Sequence, residues 1–281
     1  MPDPLQLPHL LHLLEDDSPM VQDAVLRELA SFGDRLEPEL SKIDLSPYAG
    51  QLDRLQELQR RQRMARLLDE WSDWFDLEDA CDRLETALGM VAGYMDPTMR
   101  EGRLAELLDG LARDFKATGA PQDAYRLARY LFRERGLSGA TEDYYNPQHS
   151  NLIHVIENGP GIPISLACVY MLVGNRLGLR IEGCNFPGHF LARTVVYNEA
   201  FLVDCFNGGK MIPARSFSHA RLGHVATGGA AIEMTASVPI IVARVLGNLA
   251  NSYGILGDKR HRDLMNALLA RLRAAFDDEE W

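Results

Sequence analysis

From the run Gly161-Ile162-Pro163-Ile164-Ser165-Leu166-Ala167 the rest of this chain can be placed. A glycine, then a proline, then an apolar stretch is the pattern of a loop entering a helix at its first turn, where proline's missing N–H is not needed. Leu166, Val169, Tyr170, Val173 and Leu177 continue along one helical face, and Gly178 stands where a helix would end. Strands are expected over residues 180–184, 190–196 and 201–205, with Asn198 in the turn between the last two, so those two should pair antiparallel. His189, in Pro187-Gly188-His189-Phe190, and Asp204, after Val203, sit on that pair. Fifteen residues separate them, enough for a hairpin that brings the two side chains together.

Upstream the pattern is helical. Leu5 to Leu14 carries apolar residues at helical spacing, and Ser18-Pro19 is an N-cap followed by proline, with Val21, Ala24, Val25, Leu29 and Phe32 on one face and Gly33 as a stop. This pair of short helices is HEAT-like, although no second copy follows at a fixed period. Further helices are expected over 52–74, 77–94, 104–115 and 120–132, and Asp143-Tyr144-Tyr145-Asn146-Pro147 is turn chemistry. Residues 225–236 are not assignable by pattern. Two closing helices, 238–256 and 260–276, meet at Gly257-Asp258 in a tetratricopeptide-like hairpin. The expected organisation is a helical region over 1–140, a mixed core over 141–236 and a helical hairpin over 237–281.

The carrying residues of a family resemblance are Tyr144-Tyr145-Asn146-Pro147, Gly161 to Leu166, Leu177-Gly178-Leu179, Glu182-Gly183, Phe186-Pro187-Gly188-His189-Phe190-Leu191 and Asp204-Cys205-Phe206-Asn207-Gly208-Gly209. They resemble the transglutaminase-like core of the SirB-one family. The resemblance implies a mostly helical α+β fold, a papain-like core with a small antiparallel sheet and helical flanking parts. Such cores use a Cys, a His and an Asp in that chain order. The thiolate sits at a helix N-terminus, the imidazole moves the proton, and the acid orients the imidazole. Laid on this chain, His189 and Asp204 take the last two places, and the thiol's place falls on Pro163.

Ser165 lies two residues further on, and two residues of α-helix turn a side chain by about 200°. It reaches His189 only if the helix starts later than Pro163. Two readings follow. In one, the core has lost its nucleophile and recognises a peptide or protein in a cleft lined by Pro163, Gly188, Phe190 and Asn207. In the other, Ser165, His189 and Asp204 hydrolyse an amide or ester. Cys168, Cys184 and Cys205 read as small core residues, and a purely scaffolding core is a third reading.

A net charge of −11 argues against general binding of nucleic acid or an anionic membrane, and the run Arg60-Arg61-Gln62-Arg63 reads as a solvated helix face. No apolar run approaches bilayer length. No secretory leader is visible, so a cytoplasmic location is expected. The four cysteines lack C-x-x-C spacing, and His9, His12, His149, His154, His219, His224 and His261 lack metal spacing, so neither a metal nor another cofactor is expected.

Overall fold

A computed structural model describes residues 3–16, 18–96, 100, 102–186, 188–218 and 235–276. Packing divides the chain into Met1–Glu70 and Trp71–Trp281.

In the first unit, helices α1 (Leu7–Leu13), α2 (Pro19–Ala30), α3 (Leu36–Leu40) and α4 (Leu52–Glu70) follow one another. Their apolar positions meet in one cluster, with Leu7, Leu11, Leu29 and Leu36 at most 1% exposed. Arg60 and Arg61 of α4 pair with Glu57 of the same helix, both at 2.8 Å, and Arg63 reaches Glu37 of α3 at 3.2 Å, so this basic run is neutralised within the unit. The helix expected over 52–74 stops at Glu70. Trp71 and Trp74 lie in the turn beyond it and are fully buried in the second unit. There Trp74 contacts Phe75 edge-on and stacks on Phe276, with Arg83 over the Phe276 ring at 5.0 Å.

The second unit begins with α5 (Ala80–Met95), whose N-cap Asp79 accepts from Cys81 N and Asp82 N. Helices α6 (Arg103–Ala117) and α7 (Ala124–Arg129) follow, and α7 runs into a π turn over Tyr130–Glu134. Short strands β1 (Ser138–Gly139) and β2 (Pro160–Gly161) pair in parallel on either side of α8 (Leu152–Asn158). Helix α9 (Pro163–Arg176) is buried from Ile164 to Gly174, which explains why it is apolar around its whole circumference. Its last residue ties it outward. Arg176 makes a two-pronged ion pair with Glu85 of α5 at 2.8 and 2.9 Å and reaches Asp109 of α6 at 2.6 Å.

The chain then forms an antiparallel sheet in the order β3 (Ile181–Cys184), β4 (Leu191–Val196), β5 (Glu199–Asp204) and β6 (Lys210–Pro213). Its register is set by Gly183 opposite Ala192, Ala192 opposite Val203, and Val203 opposite Met211. Tyr197 and Asn198, both at positive φ, make the two-residue turn between β4 and β5. β6 was not expected from sequence. Beyond α10 (Arg215–Ser218), helices α11 (Val238–Ile255) and α12 (Lys259–Ala275) pack on each other. Most of the unassigned stretch 225–236 lies outside the described residues. The fold is the expected mostly helical α+β class.

Candidate functional site

The site is built where α9 begins and where the β4–β5 hairpin opens. Ile162 is the N-cap of α9 in extended conformation, without a side-chain cap, and Pro163 is the first helical residue. Pro163 is partly exposed, whereas Ser165 is fully buried. Because the helix starts at Pro163, the half-turn between these positions applies, and Ser165 faces inward. Its Oγ lies 2.7 Å from His149 O and 2.9 Å from Ile162 O, so its single proton is shared between two backbone carbonyls. Gly161 is required here, since a Cβ on it would lie 2.9 Å from Ser165 Oγ. Ser165 therefore ties the loop before α8 to the first turn of α9. Among the described residues no hydrogen bond joins Ser165 to His189.

His189 and Asp204 are brought together. His189 Nε2 lies 2.9 Å from Asp204 Oδ1. Asp204 is held in turn by Asn207, whose N–H donates to Oδ1 at 3.2 Å and whose Nδ2 donates to Oδ2 at 2.8 Å. The carboxylate is thus oriented, and it accepts the imidazole N–H at Nε2. Nδ1, the other ring nitrogen, has no hydrogen-bond partner among the described residues. The His189 side chain is 30% exposed and the Asp204 side chain 13%. The pair therefore stands at the surface, with its acid end sheltered.

Aromatic rings surround the pair. Phe206 meets His189 edge-on at 6.3 Å, and Tyr144 meets Phe206 at 6.2 Å with Tyr145 beside it. Tyr144 and Tyr145 are both exposed. The β1–β2 ladder reaches this wall directly, because a Cβ on Gly139 would lie 2.7 Å from Phe206 O. Only glycine permits that approach, which sets the loop leading to α9 against the His189 wall. Gly188 is exposed at φ +76°, and Asn207 is exposed beside Asp204. Phe190 is buried, beneath the guanidinium of Arg244. Tyr144 and Phe206 belong to motifs visible in sequence, but nothing in the pattern marked them as the wall of a site.

The thiols lie elsewhere. Cys168 is fully buried in mid-α9, and burial pushes its pKa up to about 12. Cys205 is also fully buried and is raised well above the ordinary range, by burial first and then by Asp204 and Cys168. Burial raises Cys184 as well. Such thiols are inert relative to a thiolate at a helix N-terminus. Among the described residues, no group of three or more His, Cys, Asp or Glu is placed to hold a metal ion. Likewise no helix is long and apolar enough to cross a membrane.

Behind α9, His154 sits 6.5 Å ring to ring from buried His149 and accepts a hydrogen bond at Nδ1 from Asn158 Nδ2 at 3.2 Å. Burial first, and the neighbouring His149 second, hold its pKa below the ordinary value of 6.5. The folded state thus favours the neutral ring. Its contribution to stability is complete above pH 6.5 and is lost as pH falls below that value toward the folded pKa. Melting curves between pH 7.5 and 5 should show this decline, and His154→Gln should flatten it. An unchanged slope in the variant would contradict the assignment.

Residues 100–254, more than half of the chain, match the transglutaminase-like superfamily. The chain belongs to that superfamily. This transglutaminase-like chain is 38% identical over 133 residues to a UPF0162 protein of Xylella fastidiosa (strain Temecula1), covering 44% of this chain and 47% of that one. It is 28% identical over 174 residues to F-box only protein 21 of Mus musculus, covering 54% of this chain and 27% of that one. It is 33% identical over 113 residues to a UPF0162 protein of Pseudomonas aeruginosa, covering 39% of this chain and 42% of that one. The match thus spans less than half the length of each of these relatives. No solved structure matches it. Both halves of the candidate site, the start of α9 and the His189–Asp204 hairpin, fall inside the superfamily match.

Proposed function

We propose that this chain is a SirB-one-type member whose transglutaminase-like core recognises a peptide or protein segment without thiol chemistry, in the cytoplasm and with its thiols reduced. One observation carries the reading. The acid–imidazole pair is complete and partly exposed, yet no thiol or hydroxyl of a described residue hydrogen-bonds the imidazole. The surrounding Tyr144, Tyr145 and Phe206 supply the flat, amphipathic area that peptide backbones and side chains pack against. A hydrolase acting through Ser165 would have to free a buried hydroxyl from two backbone carbonyls before it could attack.

The test is a display selection of short peptides on the full-length protein, followed by affinity measurements on the enriched sequences. His189→Ala should weaken them by about tenfold or more, the size of loss seen when a contact residue of a small interface is removed. Its melting temperature should stay close to that of the unchanged protein. If His189→Ala lowers stability and leaves peptide affinity intact, the site is structural. If a fluorophosphonate labels the protein and Ser165→Ala abolishes the label, the chain is a hydrolase.

A further inference from the structure

Arg244, on α11, is half-buried and meets no carboxylate among the described residues. Its Nη1 donates to Asn185 Oδ1 and lies 3.5 Å from Phe186 O, and its guanidinium carbon stands 5.5 Å over the Phe190 ring. All of these partners are neutral. Among the described residues, Arg176 is compensated by Glu85 and Asp109 and Arg193 by Glu182, whereas Arg83 lies over the Trp74 and Phe276 rings, remote from the His189 face. With 40 acidic residues against 29 basic ones, counter-ions are plentiful in this sequence, yet Arg244 beside His189 meets none among the described residues. Sheltering a charge from water without an opposite charge is costly, and a bound anion would remove that cost.

The neighbours place Arg244 on the candidate site. Phe186 O accepts from Arg244 Nη1 and also from His189 N, the latter at 3.1 Å. Contacts therefore run from Arg244 through Phe186 to His189 and on to Phe206 and Tyr144. This run of contacts contains one permanent cation, the Arg244 guanidinium, a planar fork that fits a carboxylate on two prongs.

We infer that Arg244 anchors a carboxylate of the bound peptide, either its C-terminal group or an Asp or Glu side chain. The inference rests on the reading that the His189 face holds a peptide. A single charge beside aromatic rings suits a monoanion, whereas a phosphate dianion is matched by clustered cations.

The probes are N-acetylated octapeptide mixtures with one fixed position, Glu, Asp, Gln or Asn, and randomised flanks, each made with a free or an amidated C-terminus. Binding to the full-length protein is read by fluorescence anisotropy. Mixtures carrying a carboxylate should bind at least about tenfold tighter than the amidated Gln and Asn mixtures, as a hydrogen bond to a charged group warrants. Free-acid mixtures without Glu or Asp report on the C-terminal source, and amidated mixtures with Glu or Asp report on the side chain. Arg244→Gln should erase the preference, bringing acidic and neutral mixtures to the same affinity. Added salt should shrink the preference in the unchanged protein, an arm that needs no variant. Equal binding of acidic and neutral mixtures, or a preference that survives Arg244→Gln, overturns the role of Arg244 and leaves the peptide reading standing. If no mixture binds the unchanged protein, both fall.

Discussion

Replacing Gly209 with alanine should destabilise the second unit by about 2–4 kcal/mol, whereas the same change at Gly208 should cost only about 1 kcal/mol. The two glycines are adjacent and share a conformation, φ +68° at Gly209 and +73° at Gly208, where an L side chain is strained. They differ in what a methyl group would meet. At Gly208 nothing lies within 4 Å. At Gly209 the new Cβ would lie 2.6 Å from Phe132 Cδ2, 3.2 Å from Ala128 O and 3.3 Å from Ala128 Cβ. Phe132 cannot simply retreat. It lies on the π turn after α7, is buried, and packs edge-on against fully buried Tyr170 of α9, whose hydroxyl donates to Ala124 O at 2.7 Å. Gly209 N also donates to Asp204 O at 2.9 Å, closing the turn that carries Asn207 beneath the Asp204 carboxylate. Overpacking here should therefore disturb the orientation of Asp204 as well as stability. Urea unfolding of the two variants checks the difference. Equal midpoints would mean that only backbone strain operates and that the α7 wall does not press on the turn.

The elements legible in the sequence were those whose pattern is local. The apolar face through Leu177 and Gly178 after it placed the end of α9 within a residue, and Gly161 and Pro163 marked a first turn whose exact start stayed open. The β4–β5 hairpin was legible from alternating apolar residues around Asn198, and with it the meeting of His189 and Asp204. What was not legible depends on partners distant in sequence. β6 is four residues long and half-exposed, so it carries neither length nor alternation, and it is a strand because β5 offers it an edge. The helix expected through Trp74 ends at Glu70 because Trp71 and Trp74 are drawn into the aromatic cluster with Phe276, about two hundred residues away. Ser165 could be read as nucleophile or as local anchor until the start of α9 was known. Arg244 left no local trace, since its significance lies in having no counter-ion among the described residues, and that is a property of its surroundings.

The strongest expected gain is Pro163→Cys. In the unchanged protein the buried thiols, with Cys168 raised to about 12 and Cys205 and Cys184 also raised, should alkylate slowly at neutral pH. Cys81 is less buried, but burial and then Asp79, Asp82 and Glu85 hold it above its ordinary value too. Position 163 differs on each count. It is the first helical residue of α9 and is partly exposed, and its backbone N–H would be one of the helix's unpaired donors, so losing proline there costs little. A thiol at a helix N-terminus is held in its thiolate form by the aligned peptide dipoles, which bring such groups to a pKa of about 3.5–7.5. Gain of accessibility and gain of thiolate should multiply, making iodoacetamide alkylation at pH 7 roughly a hundredfold faster than at any native thiol. If the β4–β5 hairpin still presents its imidazole to this position, adding His189→Ala should slow the reaction and move its pH dependence upward, because the partner that takes the proton is gone. Fast alkylation that ignores His189 would mean that the helix terminus alone activates sulfur and that the hairpin has drifted from the arrangement a cysteine catalyst needs. Slow alkylation of Pro163→Cys would mean that this helix start does not activate sulfur, and placing the family's thiol position on residue 163 would have to be abandoned.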